Sequence, residues 1–120
     1  MKLFKVKVTP FPGWINVWYG DAEIISNDFK KRGYSCDPFG PGTVAMVVRI
    51  ENNKGEGVAM LLSSEAEDEH IWHESLHAAW YILDMFGVSV DVNNHEPLAY
   101  MQGYLFKEIK KRLKETKDDE

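Results

Sequence analysis

One cysteine in 120 residues, Cys36, leaves no internal disulfide to form, so nothing in the chain calls for an oxidising compartment. No basic cluster lies beside it to activate it, and we read it as an unreactive loop thiol. The chain also lacks any run near the roughly 18 to 20 apolar residues that a bilayer crossing needs. Its first residues, MKLFKVKVTPF, alternate lysine with apolar side chains where a secretory leader would carry an apolar block. A cytoplasmic location is expected. Positive charge is short as well: 14 Lys and Arg stand against 19 Asp and Glu, with no basic stripe interleaved with aromatics. Phosphate contacts supply most nucleic-acid affinity, so a nucleic-acid binder is not expected. The shortage is uneven, because residues 61–120 hold 6 basic and 13 acidic groups. That half favours a site for cations. Repeats, low-complexity tracts and linkers are missing too, and at 44% hydrophobic and 28% charged the chain reads as one domain over residues 1–120.

The first 62 residues read mainly as strands with one helix. Phe4, Val6 and Val8 alternate with Lys5 and Lys7, the period of a strand buried on one face. Trp14 to Tyr19 is β-branched and aromatic between glycines. Residues 43–50 and 57–62 are apolar runs separated by a polar turn at 51–56, which suggests a hairpin. Between the second and third strands a helix is expected over 21–33, with Ala22, Ile25 and Phe29 on one face and Gly33 at its end, followed by a Pro- and Gly-bearing loop over 34–42. From residue 64 the pattern is helical. Ser64 to Glu67 reads as a capping box opening a helix over 64–87, apolar round much of its circumference and stopped by Gly87. A last helix over 95–114 is capped by Asn94, carries Pro97 in its first turn, and has the stripe Leu98, Met101, Leu105, Ile109 and Leu113; residues 115–120 read as a frayed tail. The fold class expected is α+β: a small mixed or antiparallel sheet packed on two helices.

Three of the four histidines fall between positions 70 and 77, and His73-Glu74-Ser75-Leu76-His77 is an H-E-x-x-H motif. On a helix His73 and His77 stand about 40° apart around the axis and one turn along it, so both imidazoles can reach one tetrahedral zinc ion. Glu74 lies about 100° round from His73, the position of a general base acting on water. Two histidines underdetermine zinc, and a third ligand is needed. Glu96, 19 residues beyond His77 in the first turn of the next helix, is preferred over its neighbour His95.

HESLHAAWYIL followed by NHEPLAYMQGYL resembles the gluzincin type of zinc metallopeptidase. It is also similar to the small ImmA/IrrE-like peptidases and to short zincin-like proteins of phages and prophages. The resemblance spans residues 58 to about 106. It implies a minimal zincin-like domain with one Zn2+ held by His73, His77 and Glu96, with Glu74 as base, and with strand 58–62 edging the cleft where an extended protein or peptide substrate would pair. The chain departs from many gluzincins in having Tyr100 where an aspartate would orient a ligand histidine, and Asp84 and Asp91 are the substitutes considered.

The expected reaction is peptide hydrolysis, with zinc activating water and Glu74 moving its proton to the leaving amine. Donors to the developing oxyanion are sought among Tyr100, Tyr104, His70 and His95. Tyr100 is placed with Glu74 in the catalytic set, and His70 and His95 are kept as auxiliary or alternative ligands. A non-catalytic metal-binding or interaction protein on the same scaffold is the main alternative, and a hydrolase of non-peptide bonds is a further one. Trp14, Trp18, Trp72 and Trp80 are read as core, and Gly103 as a site of close approach to the central helix.

Overall fold

The alternation of lysine and apolar residues at the start forms β1 (Lys2–Lys7), antiparallel to β2 (Trp14–Gly20). These coordinates are a computed structural model, and they describe residues 1–34, 39–40, 42–52 and 55–115. After β2 come α1 (Ala22–Lys31), β3 (Ala45–Asn52), β4 (Gly55–Ser63), α2 (Asp68–Met85) and α3 (Glu96–Glu115). The strands form one mixed sheet in the order β1-β2-β4-β3, with β2 and β4 parallel and the other pairs antiparallel. The α+β class with a small mixed sheet is as expected. Cys36 and the tail from residue 116 lie outside the described residues.

One row of residues shows how the faces are sorted. Phe4, Val17, Met60 and Val47 are aligned across the four strands and all point to the side that α2 and α3 cover. Buried Ile71, Ala78, Ala79 and Ile82 from α2 and Met101, Leu105 and Ile109 from α3 complete that core. The other face carries Trp18, Ala59, Leu61 and Ile50 and is closed by Ile25 and Phe29 of α1. There the Trp18 indole N–H donates to Asp28, 2.9 Å away, and Arg32 pairs with the same carboxylate at 2.8 Å. Burial pushes the Asp28 carboxyl up, but these donors outweigh it and hold the group below its ordinary range.

Several expectations are corrected. Strand 58–62 is not an edge. Val58 to Leu62 are all fully buried, and β4 is paired on both sides, so the sheet's edges are β1 and β3. A run apolar on both faces is the mark of a central strand. The hairpin strands also extend to Asn52 and from Gly55, into the segment read as a turn.

Both terminal caps shift. Ala66 donates to the Ser63 carbonyl in a turn, so α2 opens at Glu67 and not at Ser64. Asn94 closes a turn with Asp91 and reaches the Ser89 carbonyl, while the first carbonyl taken by α3 is that of His95. At the far end of α2, Gly87 with φ +76° and the bond from Val88 N–H to the Leu83 carbonyl stop the helix as expected.

Only one of the four tryptophans is core. Trp18 is 2% exposed, whereas Trp14, Trp72 and Trp80 are 47–48% exposed. Gly103 is likewise not a contact point, because a Cβ built there meets nothing within 4 Å. Its cost in the middle of α3 therefore has no packing return. We expect Gly103→Ala to raise stability by about 0.5–1 kcal/mol, read as a rise of a few degrees in Tm. A fall in Tm would show that the backbone there is needed bare.

Candidate metal and hydrolytic site

His73 and His77 stand one turn apart on α2, whose buried residues Ile71, Ser75, Ala78 and Ile82 fix the opposite side of the helix against the sheet. Ser75 is fully buried and donates to the Ile71 carbonyl at 2.7 Å, so this polar position of the motif is satisfied within the helix. The histidine rings are inclined at 64° and their Nε2 atoms are 3.3 Å apart. Two zinc–nitrogen bonds of about 2.0–2.1 Å meeting at the tetrahedral angle separate the nitrogens by about 3.3–3.4 Å. The pair fits one edge of that coordination shell.

Glu74 points toward β3. Its side chain is 13% exposed against 66% for His73, yet its Oε2 comes to 3.9 Å from the His73 Nε2. The backbone N–H of Val47 on β3 favours the ionised carboxylate. Burial raises the Glu74 carboxyl above its ordinary range, opposed by His73, His77, His70 and that N–H. A largely buried carboxylate with a raised pKa beside two imidazoles is suited to accept and return a proton. The cleft it borders, of about 390 Å³, is lined by Thr43, Val44 and Ala45 on one side and His70, His73 and Glu74 on the other. The 43–45 wall has no chemical signature of its own, and sequence reasoning missed it.

Other expected site residues are placed elsewhere. Among the described residues no three or more His, Cys, Asp or Glu side chains gather at metal-holding distances, so Glu96 does not join His73 and His77. The helix pairing shows why. The Trp72 carbonyl accepts from Gln102 at 3.1 Å, Trp72 meets Phe106 edge to face, and Asp68 pairs with Lys110, so α3 runs back along the Trp72 flank of α2. His70, His73 and Glu74 open on the β3 side of α2, and α3 packs on the other.

Glu96 and His95 are both exposed at the start of α3. Tyr100 is 65% exposed and stacks on Tyr104, which lines a separate cleft against β1 with Lys5, Trp14 and Arg112. Neither tyrosine lines the cleft of Glu74. Asp84 is ion-paired with Arg49 at 2.8 Å, and Asp91 accepts from the Asn93 N–H at 2.8 Å, so both substitutes for the missing aspartate are engaged elsewhere. Comparison with family models, curated proteins and solved structures gives no match.

Proposed function

We propose that this protein is a zinc-dependent peptidase on a minimal zincin-like domain. The observation that carries this reading is the 3.3 Å separation of the two Nε2 atoms beside a desolvated carboxylate on the same helix. His73 and His77 would hold the metal, and Glu96, which does not gather with them in this structure, remains the third ligand that the sequence spacing favours. Zinc, when bound, polarises a carbonyl and lowers the pKa of a water to about 7. Glu74 takes the proton of the attacking water and returns it to the leaving amine. With β3 at the sheet edge and bordering the cleft, an extended segment of a protein substrate paired to β3 would run past Glu74.

The test is metal content and turnover measured together. Protein purified without a His tag is expected to take up about one zinc per chain and to cleave denatured, fluorescently labelled casein in a chelator-sensitive way. Failure to bind zinc after reconstitution removes the proposal. One bound zinc without cleavage leaves a metal-binding protein on the same scaffold.

A further inference from the structure

His70 lines the cleft and is not used by the reaction above. At the start of α2 the backbone N–H of Glu67 donates to Nδ1 of His70 over 2.9 Å. A ring nitrogen that accepts carries no proton, so neutral His70 holds its proton on Nε2. One hydrogen bond therefore sets the tautomer and the direction of the ring, a task that Glu or Gln usually performs at this position of a capping box. The ring lines the same cleft as His73 and Glu74. The competing donors are turned away, since Tyr100 and Tyr104 stack on each other on the β1 side.

Resting on the peptidase reading, we propose that His70 is a catalytic residue whose Nε2–H donates to the oxygen of the carbonyl under attack, where negative charge grows as the tetrahedral centre forms. No proton leaves the ring. The donor costs no reorganisation at the moment of reaction, because the Glu67 amide already fixes it.

Two measurements test this. In the metal-free protein, two-dimensional nitrogen–proton NMR of the imidazoles is expected to show His70 as the Nε2–H tautomer; the Nδ1–H tautomer would overturn the assignment whatever the activity. The second uses His70→Glu, which keeps an acceptor for the Glu67 N–H but has no N–H to offer. It is expected to retain its Tm and one zinc per chain while kcat for a mapped casein peptide falls about 10²–10³-fold with little change in KM. His70→Gln, which restores an N–H beside the same acceptor, is expected to recover part of that loss. A His70→Glu variant with wild-type kcat, one whose loss tracks lowered Tm or lost zinc, or a His70→Gln variant with no recovery would each refute the donor role and leave the peptidase reading standing. A wild type that binds zinc but hydrolyses nothing, like Glu74→Gln, would remove both.

Discussion

Glu74→Gln is expected to bind zinc as wild type does, to lose at least about 10²–10⁴-fold in kcat, and to be the more stable protein at pH 7. The activity loss follows from replacing a base with an amide that cannot take a proton. Zinc is retained because Glu74 is not placed as a ligand. The stability gain comes from burial. Desolvation raises the native Glu74 carboxyl above its ordinary range, so the folded state binds that proton more tightly than the unfolded chain. At a pH above the native pKa the ionised group costs stability; that cost shrinks as pH falls through the native pKa and is gone below the ordinary carboxylate value of about 4. Denaturant titrations of the two proteins should therefore diverge at pH 7 and converge in acid. Wild-type turnover in Glu74→Gln would remove this residue as the base, and equal stability at every pH would mean that the carboxylate is solvated.

His77→Ala is expected to lower zinc affinity by at least about 100-fold, beyond the roughly 10–100-fold typical of a residue that only supports a ligand. His73→Ala should match it, since the two rings form the same edge of the site. Both histidines are exposed, so the fold should remain within about 0.5 kcal/mol of wild type and loss of metal can be separated from unfolding. Isothermal titration with zinc, run beside thermal melts, reads both. Glu96→Ala in the same series decides the third donor. A loss as large as that of His77→Ala assigns Glu96 to the metal, and wild-type affinity removes it. An unchanged affinity in both histidine variants would end the metal reading itself.

The two-histidine half of the candidate site was legible because helical geometry is local. Spacing four residues apart puts His73 and His77 on one face in any helix, and an apolar flank fixes which face turns inward. The capping error had a local cause too: Ser64 to Glu67 satisfies the pattern, but the Ser63 turn takes those residues first. The tryptophans misled for a different reason, since helical spacing puts Trp72 and Trp80 beside the histidines without saying whether another element covers them.

By itself the sequence determined what depends on near neighbours: the H-E-x-x-H face, the strand alternation of Phe4, Val6 and Val8, the α3 stripe and the Gly87 stop. Tertiary structure alone decided which strand became the edge, because β4, joined to β3 in a local hairpin, also pairs with β2 far back in the chain. It also decided that Glu74 lies under the Val47 N–H, that α3 packs on the flank away from the cleft, and that Tyr100 faces elsewhere. Each of these is fixed by how whole elements rotate against one another to bury the two faces of the sheet, and no spacing within one segment encodes that rotation.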